Sequence, residues 1–238
     1  MSFKVKKASL VAMTLEEELV NECQKLGFED LLIKDESGSW AVKSRQPLAL
    51  ERPLVLDLKS DFERLKSSLH SLRQQPLYRA LDLSKNRGLE VWDVTLGTAQ
   101  DTLLMLALGT KVISTERHPL VELLLLKSFQ DAQLEGWNHW FKWRELTFEK
   151  RFEDVFAVYF DPMYEDHPQK RLSQKSMRIF RELIGKDEDA VQVAVSLSQW
   201  AKKLKKRLVI KRSLKSSFLI EKPTHSILGK TVRFDVYL

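Results

Sequence analysis

A single cysteine, Cys23, among 238 residues excludes an internal disulfide and fits a reducing, cytoplasmic setting. Eight glycines and seven prolines leave little room for low-complexity linkers or a collagen-like repeat. Long apolar runs are missing too. The densest stretch, Leu120–Leu126, already contains Glu122, and no window approaches the ~18 residues that a membrane span needs. The opening Lys4, Lys6 and Lys7 are followed only by Ala8–Met13, too short an apolar segment for a secretory signal. The five histidines show no ligand spacing with one another or with Cys23, so no metal site is expected. What remains is an ordinary globular balance, 43% apolar and 30% charged, at a length that favours one large α/β domain with an appendage.

Charge is unevenly spread. Residues 201–238 hold eleven basic side chains against two acidic ones, whereas the whole chain is only +6, so residues 1–200 are slightly acidic. A basic end on an acidic body points to a polyanion, because lysines and arginines that neutralise phosphates release counterions and gain affinity. A solvated, lysine-rich helix end reads the same way, and charge alone does not separate the two.

Residues 1–58 read as a small α+β unit. Thr14 and Glu17 form a capping box, Leu15, Leu19, Cys23 and Leu26 follow at helical spacing, and Gly27 closes the helix. Leu31–Lys34, Trp40–Val42 and Val55–Leu58 are short β-like runs. Asp61–Arg73 reads as one helix and Pro76–Leu83 as another. From residue 90 strands and helices alternate, which implies a parallel sheet in a second domain over 59–238. Its strands are expected at Leu89–Val94, Lys111–Glu116, Phe141–Phe148, Val155–Phe160 and Arg207–Lys211; its helices at Asp101–Leu108, Pro119–Gln133, Ser173–Ile184 and Asp187–Leu204. Thr224–Leu228 and Thr231–Leu238, joined by Gly229-Lys230, read as a closing antiparallel hairpin.

Ligands of open α/β sheets lie beyond the carboxyl ends of the strands. Three such ends carry chemistry here. Asp93 leads through Gly97 and Ala99, small residues that let a ligand approach the backbone, into a helix start at Gln100-Asp101. Glu116 ends the next strand, where an acid accepts from ribose hydroxyls. Asp161-Pro162-Met163-Tyr164 follows the apolar strand Val155–Phe160; a carboxylate, an exposed carbonyl and an aromatic ring cradle a flat exocyclic amine. Each acid alone also reads as a capping or surface residue, and acid-proline steps occur in ordinary turns. A dinucleotide fits less well: the fingerprint glycines fall on Gly97, Ala99 and Thr102, and Asp93 and Asp101 would repel a pyrophosphate. S-adenosylmethionine, with its sulfonium, ammonium and ribose, matches the acids better.

Asp93–Asp101, Thr115–Pro119, Tyr159–Tyr164, Lys175–Phe180, Val209–Arg212 and Arg233–Tyr237, in that order, resemble ribosomal RNA small subunit methyltransferase J over about residues 60–238. The resemblance implies a Rossmann-like class I methyltransferase sheet with a C-terminal antiparallel hairpin. It also implies methyl transfer from S-adenosylmethionine to the exocyclic amine of a guanine in small-subunit ribosomal RNA. It places the cofactor on Gln100, Asp101, Glu116, Arg117 and Asp161, to which the strand-end reading adds Asp93 and Gly97, with Asp161, Pro162 and Tyr164 as the expected catalytic set. Gln100 stands where that family has arginine, Ala99 where it usually has a second glycine, and the family's basic glycine-rich stretch before the first strand is replaced by Leu72–Pro76. Lys170, Arg171, Lys175, Arg178, Lys211 and Arg212, together with Lys202–Arg207, are the expected RNA contacts, on the ribosomal RNA itself or the assembling small subunit. A catalytically silent RNA-binding or assembly factor on the same fold is the alternative, and neither reading calls for a membrane or a metal.

Overall fold

The computed structural model describes residues 14–43, 53–86, 88–141, 148–162, 182–185 and 187–238. The chain opens with α1 (Leu15–Lys25), capped reciprocally by Thr14 and Glu17, then β1 (Leu32–Lys34) and β2 (Trp40–Val42), a two-stranded antiparallel sheet. Three short helices follow: α2 (Leu58–Lys66), α3 (Leu69–Leu72) and α4 (Pro76–Ala80). The alternating region then runs β3 (Glu90–Asp93), α5 (Gln100–Ala107), β4 (Lys111–Glu116), α6 (Pro119–Ala132), β5 (Trp137–Phe141), β6 (Ala157–Phe160), α7 (Ala190–Lys203) and β7 (Arg207–Ser213), before β8 (His225–Leu228) and β9 (Val232–Tyr237).

Seven of these strands form one sheet in the order β5-β4-β3-β6-β7-β9-β8. The first five are mutually parallel, and β9 enters antiparallel between β7 and β8. The alternation of elements therefore yields the expected parallel sheet with its terminal hairpin. Strand order reverses between β3 and β6, which opens a crevice at their carboxyl ends.

Both faces of the central strands are covered, as a parallel sheet requires. On one face Val91, Val112, Tyr159 and Val209 join Leu103 and Leu124 in the larger apolar cluster. Leu19, Cys23, Phe28 and Leu58 belong to that same cluster, so the described residues before 59 share the core of the sheet. On the other face Trp92, Val158 and Ile210 meet Leu197 of α7, and the Trp92 ring stacks on Phe152 with centroids 4.0 Å apart.

Two expected elements shift, and two more fall largely outside the described residues. Val55–Leu58 is not a strand: Leu54 makes an isolated bridge to Val42, and Asp57 caps the Ser60 N–H so that a helix starts at Leu58. The helix expected over 61–73 breaks at Ser67-Ser68, where the Ser67 hydroxyl donates to the Arg64 carbonyl. Of the strand expected at Phe141–Phe148, residues 142–147 lie outside the described residues; the strand that pairs with β4 is Trp137–Phe141. Of the helix expected at Ser173–Ile184, all but residues 182–184, which are helical, lies outside the described residues.

Candidate active site

β3 ends on Asp93, and the six residues to α5 are tied to both neighbouring strands: the Val94 N–H donates to the Tyr159 carbonyl and the Leu96 N–H to the Thr115 carbonyl. The turn needs two left-handed residues, Gly97 at φ +52° and Ala99 at φ +62°. At Gly97 the space a β-carbon would occupy is open, whereas buried Ala99 carries its methyl group in a conformation costing roughly 1–2 kcal/mol for an L residue. Asp93 lies beneath this turn, buried, accepting from the Thr102 hydroxyl at 2.5 Å and the Thr95 N–H at 3.3 Å. Burial pushes its carboxyl up to about 7, with the negative charges of Asp101 and Asp161 adding to the rise.

Glu116, at the end of β4, is held by main chain. Its Oε1 accepts from the N–H groups of Arg117 (2.8 Å) and His118 (2.9 Å), and its Oε2 from Gly97 (2.9 Å). Burial raises its carboxyl above the ordinary range against these bonds. With a single N–H upon it, Oε2 keeps acceptor capacity for a hydroxyl. Because the Gly97 amide already serves Glu116, this turn offers a pyrophosphate an acid in place of a free donor. Arg117 is exposed and its guanidinium pairs with Asp187 and Asp189 ahead of α7.

Behind Glu116 runs a buried polar chain. Trp137 Nε1–H can only donate, and it does so to Ser114 Oγ at 2.7 Å. Burial holds the His139 imidazole down to about 4, so it is neutral near pH 7. The Ser114 hydroxyl therefore donates to Nδ1 at 2.8 Å, and the remaining proton, on Nε2, goes to Glu122 Oε2 at 2.7 Å. This chain joins β4, β5 and α6 through side chains rather than backbone.

The third group sits at the end of β6. The Asp161 N–H donates to Thr95 Oγ1 at 2.8 Å, which couples the turn after β3 to the start of the Asp-Pro segment. One ammonium, that of Lys211, lies 2.7 Å from Asp101 Oδ2 and 2.8 Å from Asp161 Oδ2, and the Tyr159 phenol donates to Asp101 Oδ2 at 2.5 Å. Burial alone would lift both carboxyls; the contacts from Lys211 and Tyr159 bring Asp101 below its ordinary value, whereas Asp161, with Asp101 adding to its burial, stays above.

Asp93, Gly97, Asp101, Glu116 and Asp161 are thus brought to one end of the sheet, with Pro162 buried beside them and Gln100 exposed at the first position of α5. Lys211 and Arg212, expected to face RNA, point elsewhere: Lys211 into the acid cluster, and Arg212, 7% exposed on the opposite face, donates to the Ser217 carbonyl at 3.4 Å. The Lys202–Arg207 run lies at the amino end of β7, six residues from its carboxyl end and so roughly 20 Å from the crevice edge. Tyr164, Lys170, Arg171, Lys175 and Arg178 lie outside the described residues. Thr95, Thr102, Tyr159 and the inward role of Lys211 escaped the sequence reading. Only strand pairing places the last two: Tyr159 and Val209 share a register, so Lys211, two residues on, faces the same way.

The donor set can be tested against a sulfonium cofactor. Three carboxyls against one ammonium make an acceptor-rich site, suited to ammonium and sulfonium groups; Glu116 offers an acceptor for ribose, and the open space at Gly97 allows backbone approach. These residues fit S-adenosylmethionine. Among the described residues no cluster of His, Cys, Asp and Glu could hold a metal, and no helix is long and apolar enough to cross a membrane.

Comparison with known proteins agrees. A family model for SAM-dependent methyltransferases matches residues 29–238. Ribosomal RNA small subunit methyltransferase J of Coxiella burnetii is 36% identical over 197 residues, covering 78% of this chain and 75% of that protein. The protein of the same name from Thioalkalivibrio sulfidiphilus is 32% identical over 199 residues, covering 78% and 76%. Among solved structures, a SAM-dependent methyltransferase from Neisseria gonorrhoeae superposes with a TM-score of 0.54 at 23% identity, covering 84% of this chain and 79% of that one, a likeness of fold.

Proposed function

The chain belongs to the ribosomal RNA small subunit methyltransferase J family of SAM-dependent methyltransferases, and on that footing we propose that it methylates the exocyclic amine of a guanine in small-subunit ribosomal RNA, in the cytoplasm. The observation that carries this reading is Asp161: its backbone is anchored on Thr95, its Oδ2 is held by Lys211, and its Oδ1 takes no hydrogen bond from the described residues.

S-adenosylmethionine, when bound, supplies a methyl group on a positively charged sulfur, a donor that is already activated. The chain's own residues then have three tasks. Glu116 receives ribose hydroxyls, fixed by its three main-chain bonds. Asp93 and Asp101 present acceptors to the methionyl ammonium. Asp161 Oδ1 and the Pro162 carbonyl accept the two hydrogens of the target amine, aiming its lone pair and stabilising the positive charge that grows on nitrogen during transfer. Tyr164 stacks the base. Lys170, Arg171, Lys175 and Arg178, which follow this segment in sequence, supply phosphate contacts, so RNA affinity should fall steeply with salt.

The test is single-turnover methylation of small-subunit RNA from cells lacking the protein, with nucleoside mass analysis of the product. A guanosine methylated on its exocyclic amine is expected, with Asp161→Ala slowed by roughly 100-fold or more. A methyl group at any other position, or full single-turnover rate in Asp161→Ala, would overturn the reading.

A further inference from the structure

A lysine in a central strand is unusual unless something holds it. β7 is hydrogen-bonded on both sides, to β6 and to β9, and Lys211 lies opposite Phe234 in that ladder. Strand alternation puts Lys211 on the face of Val209 and Tyr159, and Arg212 on the face of Ile210, so the arginine cannot take over its task. The Lys211 side chain retains 23% of its exposure, and its ammonium reaches two carboxylates from two other elements, Asp101 of α5 and Asp161 after β6.

The surroundings of Asp161 explain why a cation is needed there. Asp93 from β3 and Asp101 from α5 crowd the same pocket beside the neutral Tyr159 phenol of β6, and Asp187, ahead of α7, adds a third carboxyl around Asp161, its own partner being Arg117. Among the described residues the only ammonium or guanidinium within ion-pair distance of Asp161 is that of Lys211. Carboxylates sharing a site without a cation cannot all ionise, and one takes up a proton. A protonated Asp161 carries an O–H, and an amine that needs acceptors would meet a donor.

We propose that Lys211 is a positioning residue for methyl transfer: its ammonium keeps Asp161 a carboxylate, occupies Oδ2, and leaves Oδ1 turned to the substrate amine, while tying Asp101 into the same arrangement. This rests on the reading of Asp161 as the acceptor for the amine. Lys211 here acts through Asp161 and need not touch RNA.

The experiment compares the full-length protein with Lys211→Met, Lys211→Arg and Asp161→Asn in single-turnover methylation across the pH range, beside RNA affinity at several salt concentrations. Lys211→Met should lose on the order of 100-fold at neutral pH and regain part of it in alkali, with the acid limb of its profile moved up by about a unit or more. Lys211→Arg, which restores the charge, should bring that limb back toward the wild-type position. Both should bind RNA with the wild-type salt dependence. A Lys211→Met profile that is merely scaled, with its acid limb unmoved, overturns the proposal, as does a weaker RNA affinity with a shallower salt slope, the mark of a phosphate contact. Asp161→Asn separates the two layers: full activity there removes the role of Asp161 itself, whereas an impaired Asp161→Asn beside an unshifted Lys211→Met removes only that of the lysine. Should Lys211→Met fail to fold, the carboxyl carbon resonance of Asp161 in the unaltered protein decides: an ionised group at pH 7 is expected, and a protonated one overturns the proposal.

Discussion

The two ends of the candidate site use the same carboxyl group and hold it by opposite means. Glu116 is gripped by three main-chain N–H groups from the turn after β3 and from the chain following β4. Asp101 and Asp161 are gripped by one lysine side chain and one phenol. Main-chain amides neither titrate nor swing, so the Glu116 end is fixed in shape. An ammonium on a four-carbon stem is a charge whose loss changes the ionisation of its partners. One end therefore sets geometry, and the other sets charge.

The comparison breaks most readily at Glu116. Glu116→Ala leaves three N–H groups without their acceptor and should cost about 2–4 kcal/mol in urea unfolding, together with loss of cofactor binding by calorimetry. Asp101→Ala leaves one donor, the Tyr159 phenol, without its acceptor while Lys211 keeps a second partner, and should cost about 1–2 kcal/mol. Equal losses would mean that the two ends are not built differently.

Asp93 sharpens the contrast through pH. Its carboxyl titrates at about 7 when folded and near 3.8 when unfolded, so between those values the folded state alone binds the proton. Stability from this group is complete below 3.8 and is lost as pH rises through about 7, a loss on the order of 2–4 kcal/mol for a site this buried. Urea midpoints for Asp93→Asn should lack that decline and exceed the wild type in mild alkali. A wild-type midpoint that does not fall between pH 5 and pH 8 relative to Asp93→Asn would contradict it.

Smaller effects follow at the supports. Ser114→Ala removes the acceptor of Trp137 Nε1–H and the donor to His139 Nδ1, an expected loss of about 1–3 kcal/mol with cofactor affinity altered only through the placement of Glu116. Ala99→Gly relieves the left-handed strain but loses a buried methyl group worth about 0.8 kcal/mol, so its net effect should lie within about 1 kcal/mol, well below that of an ordinary buried truncation.

The sheet was legible because its central strands are short apolar runs between helical periods, and the hairpin because its last strand alternates. β5 was not, since its inward residues are Trp137 and His139: an imidazole reads as polar until Ser114 and Glu122 are seen to satisfy it. Three of the site's four acids, Asp93, Glu116 and Asp161, could be read from their places at strand ends, and Asp101 from the helix start. Their partners could not, because Thr95, Thr102 and Tyr159 matter only through contacts far apart in sequence. The basic tail divides in space for a related reason. A charge count along the chain has no faces and no ends, so Lys202–Arg207 at the amino end of β7, Lys211 inside the site and Arg212 on the far side all counted alike.

The placement of β9 between β7 and β8 has a consequence for how the molecule comes into being. Until residues 232–237 pair with them, β7 keeps an open flank and β8 has no strand partner among the described residues, so the strand that carries Lys211 is completed by a segment that follows it in the chain. Its outer flank closes by insertion of β9 between two strands, not by addition at a free edge.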